Sequence, residues 1–154
     1  MDKPMNNKHY GRLLAMSVLS FISMYVLMYA MVDTFANVFH NLNQFYMAGL
    51  MTAPMVIIEL SLMGAMYQNK TLNALIITVS AIALIVFWAG IRQQAAISDQ
   101  QFLKSMIPHH AGAILMCEKT SLQDPELKDL CQSIISGQQS EINQMKAMLR
   151  ELTN

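Results

Sequence analysis

Two adjacent histidines and two methionines lie close together in the last third of the sequence. Met106, His109, His110 and Met116 fall within 11 residues. On a helix, Met106 lies one turn before the histidines, so its thioether and their imidazoles project from one side. Thioether and imidazole donors together favour the soft ions Cu(I) and Ag(I), whereas Mg²⁺ prefers oxygen and zinc more often takes cysteine or carboxylate. The pattern therefore predicts a soft-metal site.

Two helices are predicted to carry these residues. The first begins near Ser98, which forms a capping-box pattern with Gln101, and continues with apolar residues at helical spacing. Its Pro108 has no backbone N–H, so we expect a kink beside the histidine pair. The second helix has Asp124 as a suitable N-cap and Pro125 as a suitable first residue. A short polar turn joins the two, which predicts an antiparallel hairpin.

Folding the second helix back on the first brings further donors toward the histidines. We expect His110 to face Gln138 and Met106 to lie near Glu141, whose carboxylate is interpreted as a hydrogen-bond acceptor for a histidine N–H. Adjacent helical residues point about 100° apart, so one histidine is expected to bind within the hairpin and the other to face a partner chain or a second site. The candidate metal residues are Met106, His109, His110, Met116, Glu141 and Met145.

Both cysteines of the chain, Cys117 and Cys131, are also expected to face each other across this hairpin. Three interpretations stay open: a disulfide, a pair of metal-binding thiolates, or two thiols in the core. An oxidising compartment such as the periplasm permits the first of these.

Three long apolar segments precede the hairpin. The first, Leu13–Val32, is 20 residues without a formal charge, which is enough to cross the hydrocarbon core of a bilayer. The second is predicted from about Phe45 to Tyr67, and the third from about Leu72 to Ile91. Nothing between Ile91 and Ser98 forbids a continuous helix into the hairpin. The sequence therefore predicts membrane region 1–97 and hairpin domain 98–154.

The distribution of basic residues predicts the orientation. The first apolar segment is preceded by Lys3, Lys8 and Arg12, the following connection has no Lys or Arg, and the next carries Lys70. By the positive-inside rule, the N-terminus is expected in the cytoplasm and the hairpin on the outer side. In a bacterium this corresponds to the inner membrane and the periplasm.

Methionines also recur at helical spacing in the apolar segments. One stripe comprises Met47, Met51 and Met55, and another Met24, Met28 and Met31. Methionine is a flexible core filler, so packing is one interpretation. A path for metal through the bilayer is the other, and it would draw on Glu59, because a carboxyl group inside hydrocarbon is costly and often functional.

The hairpin sequence resembles a known family. The spaced residues Asp99, Phe102, Met106, His109, His110, Ala113 and Met116, followed by Gln138, Glu141, Ile142 and Met145, are similar to the family of domain of unknown function 305 (DUF305) over about residues 98–152. The resemblance implies a ferritin-like helical fold and, as in some members, periplasmic copper or silver binding linked to metal tolerance. Many members are soluble and carry two hairpins in a four-helix bundle. Here the missing half is expected from a second copy, or from the chain's own membrane helices.

These observations predict an all-α protein with three transmembrane helices and a C-terminal antiparallel helical hairpin, completed to a four-helix bundle by dimerisation. Its expected role is to bind Cu(I) or Ag(I) for buffering, tolerance or handover to a copper-handling protein. Alternatives are an oligomerisation module that pairs through Phe102, Ile134 and Met145, and an accessory subunit of metal transport. No nucleophile–base pair or phosphate loop indicates an enzyme, and no basic run indicates nucleic-acid binding.

Overall fold

The computed structural model describes residues 5–153, with side chains from Lys8 onward. In this range all regular secondary structure is helical, as predicted, and there is no strand. The five helices are α1 (Met5–Leu27), α2 (Leu42–Leu62), α3 (Lys70–Gln93), α4 (Asp99–Lys119) and α5 (Pro125–Glu151). The chain forms two compact units: one contains the described residues up to Leu27 together with Asn43–Ala95, and the other contains Met28–Leu42 and the residues from Ala96 onward.

Three helices of the described chain are long and apolar enough to cross a membrane, and most of their residues lie in the first unit. These candidate spans are Lys8–Met31, Leu42–Leu62 and Lys70–Gln93. The second ends five residues before the predicted end at Tyr67, because residues 63–66 form a turn. Tyr67 then packs into a small core with Leu13 and Leu60.

Close helix packing in the first unit depends on glycine. A Cβ atom at Gly49 would clash with the ring of Phe87, so α2 and α3 approach closely at this point. Elsewhere the apolar side chains of this unit mostly face outward: Leu14 is 66% exposed and Ile85 is 61% exposed. Such a surface needs lipid or a partner to cover it.

The third apolar helix does not continue into the hairpin. It ends at Gln93, and both Gln94 (φ 49°) and Ala96 (φ 57°) adopt left-handed backbone conformations that break the helix. A new helix then starts at the predicted cap, Ser98, whose hydroxyl accepts from the Gln101 backbone N–H at 3.4 Å. The other half of the predicted capping box is replaced, because Gln101 Oε1 accepts from the backbone N–H of Leu42 at 3.0 Å.

The second unit is built on the predicted hairpin of α4 and α5. The Asp124 carboxylate caps α5 by accepting from the backbone N–H groups of Glu126 and Leu127 at 2.8 and 3.1 Å. Ile107 and Ile142 are fully buried between the two helices. The rest of this core is Leu103, Ala111, Ile114, Met145 and Leu149.

Residues 28–42, which we name the strap, belong to the same unit as the hairpin. Two short 3₁₀ turns, Met28–Met31 and Phe35–Asn37, give the strap its shape. Val32 and Phe39 pack against the hairpin core. A Cβ atom at Gly112 would lie 3.3 Å from the Met31 carbonyl oxygen, so a residue without a side chain allows the strap to approach α4.

A disulfide between Cys117 and Cys131 closes the hairpin near its turn. The two residues are 14 apart in sequence, and their Cα atoms are 5.3 Å apart. Of the three interpretations left open by the sequence, the structure has the disulfide, and neither cysteine is free.

We expect removal of this disulfide to lower the free energy of unfolding of the hairpin by roughly 3 kcal/mol, the size expected for a loop of this length. The measurement is hydrogen exchange of the α4 and α5 amides in the wild type and in Cys117→Ser/Cys131→Ser. Reductant should bring the wild type to the level of the double variant and leave the variant unchanged. Equal amide protection in wild type and variant, each with and without reductant, would contradict a stabilising role of the disulfide.

Candidate functional site on the helical hairpin

His110 links the two helices of the hairpin. The histidine is only 9% exposed. Its Nδ1 atom lies 2.9 Å from the Met106 carbonyl oxygen, and its Nε2 atom lies 2.7 Å from Glu141 Oε2. The carbonyl is an acceptor, so Nδ1–H donates to it. The hydrogen bond at Nε2 then needs a second proton, carried either by the imidazole or by the carboxyl group. With both nitrogens engaged, His110 has no free donor for a metal in this arrangement.

Glu141 was predicted to accept a hydrogen bond from a histidine N–H, and it lies within hydrogen-bond distance of His110, whichever of the two groups carries the shared proton. The predicted partner of His110 was Gln138, one turn earlier on α5, and the contact with Glu141 falls within one helical turn of that prediction. The Glu141 side chain is 58% exposed, so water reaches the carboxylate from one side. The Gln138 Oε1 atom is instead buried and accepts no hydrogen bond from a described residue.

His109 lies in a different environment from its neighbour. It is exposed, its ring centroid is 5.9 Å from that of His110, and among the described residues its nitrogens form no hydrogen bond. Met106 precedes it by one turn and packs partly buried against the hairpin core. Of the two histidines, His109 is therefore the one whose imidazole is available from solvent.

The remaining candidate methionines, Met116 and Met145, differ in exposure. Met116 is 58% exposed and follows His109 by two helical turns, whereas Met145 is 9% exposed and forms part of the hairpin core. In the described part of the chain, no three His, Cys, Asp or Glu side chains converge as a metal site. A soft-metal site in this hairpin therefore has to draw on methionine sulfur or on a second molecule.

Pro108 lies within α4, which continues as one helix from Asp99 to Lys119. Proline has no N–H to donate to the carbonyl four residues earlier, that of Lys104. The Asn41 side-chain amide from the strap donates to this carbonyl at 3.4 Å, and also to the Phe39 carbonyl at 3.0 Å. Asn41 is 7% exposed. The strap thus satisfies the acceptor that proline leaves open.

Met24, Met47 and Met51, which belong to the two methionine stripes, lie in the first unit. Met47 and Met51 are 39% and 46% exposed, so they face outward from the described chain. Met24 Sδ accepts from the Thr52 hydroxyl at 3.6 Å. These placements favour packing or lipid contact over a metal path within one chain.

Glu59 is paired within the first unit. The Tyr67 hydroxyl donates to Glu59 Oε1 at 3.2 Å, and Tyr67 is 4% exposed. Burial raises the pKa of Tyr67, and the neighbouring Glu59 carboxylate raises it further. The hydroxyl therefore keeps its proton and remains a donor to the carboxylate. Sequence reasoning did not find this partner because it placed Tyr67 inside the second apolar segment.

Sequence reasoning also missed the strap as part of the site. In the sequence, Asn41 is one amide residue in a polar connection, and nothing around it predicts its contact. Its partner, the Lys104 carbonyl, is free only because Pro108, 67 positions after Asn41, has no N–H. Gln101 was assigned to a local cap, whereas its side chain contacts Leu42. The absent N–H at Pro108 was the one signal that could have prompted a search for a distant donor.

Comparisons with known proteins found one matching family profile and a similar viral protein. The profile of DUF305, described as a domain of unknown function, matches residues 59–149, which is more than half of the chain and includes α3 as well as the hairpin. An uncharacterised protein of Acanthamoeba polyphaga mimivirus is 38% identical over 150 residues, covering 96% of this chain and 95% of its own length. That alignment includes the apolar helices. No solved structure matches the chain significantly.

The His110–Glu141 contact should be measurable as a coupling energy. We expect His110→Phe and Glu141→Gln to couple by about 1 kcal/mol in the free energy of unfolding of the hairpin, because the bond is short but its Glu141 side is open to water. Hydrogen exchange of the four proteins of a double-mutant cycle gives this value. A second cycle with His110→Phe and Glu126→Gln serves as control and should be additive. Additivity in both cycles would show that the contact contributes nothing.

Proposed function

We propose that this chain, which belongs to the DUF305 family, is a membrane-anchored protein that binds Cu(I) or Ag(I) through methionine and histidine on α4. One observation carries the proposal: the His109 imidazole is exposed and free of hydrogen bonds to the described protein, one turn after the Met106 thioether. Residues three apart on a helix have their Cβ atoms about 5–6 Å apart. An imidazole and a thioether at this spacing can reach a common soft ion.

Met116 serves this proposal as a donor to a second site. It lies seven residues after His109, which corresponds to about 10 Å along the helix axis. That separation is too long for both side chains to share one ion comfortably within one helix. Its exposed thioether is instead available to an ion shared with a second copy or a recipient protein.

His110 and Glu141 act in this proposal as positioning residues. Their hydrogen bond fixes the rotation of α4 against α5. With His110 directed inward, the neighbouring His109 points about 100° away, toward solvent. The buried Met145 supports the core behind this turn of α4.

Membrane anchoring is supported by the outward-facing apolar surfaces of α1, α2 and α3. Lys8 and Arg12, at the N-terminal end of α1, favour a cytoplasmic N-terminus, so the proposed topology has the hairpin on the opposite side after three crossings. The Cys117–Cys131 disulfide fits an oxidising compartment there. The bacterial periplasm is such a compartment. Because the relative is a viral protein, oxidising compartments outside bacteria also fit the proposal. The proposed role is buffering or handover of metal, without a catalytic step.

Copper titration of the full chain in detergent tests this assignment. Met106→Leu and His109→Ala are each expected to lower Cu(I) affinity roughly tenfold or more, because each removes a proposed ligand. The measurement is competition with a chromophoric Cu(I) chelator under anaerobic conditions that leave the disulfide intact.

A matched variant serves as control for the titration. Met148→Leu removes an exposed methionine of the same hairpin outside the proposed site. It should bind Cu(I) nearly as the wild type does. Unchanged affinity in Met106→Leu and His109→Ala would refute the site, as would an equal loss in Met148→Leu.

A second candidate function is oligomerisation through the hairpin. Phe102, Met148 and Leu152 are 50%, 45% and 53% exposed and border one depression of about 460 Å³. Large apolar side chains grouped at one place favour burial against a partner. We assign the partner as a second copy, whose hairpin would complete a four-helix bundle.

The oligomeric state of the full chain in detergent tests this assignment. Phe102→Glu is expected to convert a dimer into a monomer, because the new carboxylate would be buried near Asp99 and Glu151, which line the same depression. Light scattering coupled to size exclusion gives the protein mass. Ser133→Glu, at an exposed polar position of α5, is the control and should remain dimeric. A wild-type monomer would contradict the proposed bundle.

A further inference from the structure

A second depression of the hairpin unit is lined by basic side chains. Lys104 of α4 and Lys146 and Arg150 of α5 border a cavity of about 410 Å³. Its other lining residues are Ala36, Phe39, Leu149 and Thr153, so the floor is largely apolar. We name these seven residues the basic depression. It lies wholly within the second unit and shares no residue with the proposed metal site.

The charge distribution of this unit makes the clustering unusual. The unit has eight acidic residues but only five basic ones, and three of those five border the same depression. Among the described residues, none of the three forms an ion pair with a carboxylate. Lys104 and Lys146 are both partly buried. Like charges that converge without a counter-ion repel each other, and a bound anion would relieve that repulsion.

The residues that line the basic depression also indicate which kind of ligand fits it. Its cations surround an apolar floor that includes Phe39 and Leu149, so a fitting ligand has an anionic group attached to an apolar body. The neighbouring depression beside Phe102 carries the acidic residues Asp99 and Glu151 instead. The two depressions thus carry charges of opposite sign.

The residues of the basic depression lie close in sequence to the ends of apolar helices. Five residues, 94–98, separate the end of α3 at Gln93 from the start of α4 at Asp99, and Lys104 lies in the second turn of α4. The strap residues Ala36 and Phe39 belong to the connection between the first two apolar segments. Basic side chains close to the ends of spanning helices attract anionic headgroups, and pockets of such residues bind particular lipids.

We propose that the basic depression binds the phosphate group of an anionic phospholipid. Lys104, Lys146 and Arg150 contact the phosphate, with the guanidinium able to donate two parallel hydrogen bonds. Phe39 and Leu149 contact the glycerol and the first methylene groups of the acyl chains. The bound lipid would hold the hairpin and strap against the membrane surface.

Native mass spectrometry of the full chain in detergent tests this proposal. The chain is titrated with phosphatidylglycerol, with phosphatidylcholine of the same acyl chains, and with inorganic phosphate. Phosphatidylglycerol is expected to bind more tightly than phosphatidylcholine. Lys146→Gln/Arg150→Gln should lower phosphatidylglycerol affinity roughly thirtyfold, the effect expected for two basic groups near a membrane surface.

Two further variants make the result specific. Lys119→Gln/Lys128→Gln removes the same number of charges from exposed positions of the same hairpin and should bind phosphatidylglycerol as the wild type does. Lys146→Arg/Arg150→Lys keeps both charges and should retain most of the affinity. Hydrogen exchange of α5 confirms that each variant is folded.

Several outcomes would overturn the proposal. An equal loss of affinity in the two charge-removing variants would mean that total charge, not this depression, attracts the lipid. Equal binding of the two lipids would remove the role of the anionic headgroup. Inorganic phosphate that binds as tightly as phosphatidylglycerol would identify a free-phosphate site instead of a lipid site.

Discussion

The register between α4 and α5 is the constraint on which the hairpin unit depends. Three contacts fix this register: the disulfide between Cys117 and Cys131, the buried apolar contact around Ile107 and Ile142, and the hydrogen bond between His110 and Glu141. The polar contact lies between the other two along α4. A slip of one residue on a helix rotates every side chain by about 100°. Such a slip would break all three contacts together, so they support one another.

The two adjacent histidines show how this register assigns different roles to identical side chains. Burial and two hydrogen-bond partners make His110 a structural link, while the preceding residue, His109, is exposed. The same logic separates the methionines, because Met145 fills the core and Met116 faces solvent. Residue type alone therefore does not decide which donors a ligand can reach. The rotation of α4 against its neighbours decides it.

Much of this organisation could be predicted from the sequence, because its signals are local or periodic. Continuous apolar runs predicted three long helices, and Asp124 with Pro125 predicted where α5 begins. The facing positions of Cys117 and Cys131 followed from folding one helix back on the other, although the disulfide itself was one of three interpretations. What could not be predicted depends on contacts distant in sequence. Gln101 bonds to Leu42, and the Lys104 carbonyl bonds to Asn41, and neither pairing leaves a periodic or local trace.

Because Gly112 has no side chain, the strap can pack closely against α4 and reduce the surface of this helix that other molecules can reach. One side of this helix is covered by α5, and the strap comes close enough at Met31 to cover another. On the part of the helix that stays exposed, an aromatic ring, an imidazole and a thioether recur at intervals of seven residues: Phe102, His109 and Met116. An ion or protein that approaches α4 along this strip therefore meets three different side-chain chemistries in a fixed order.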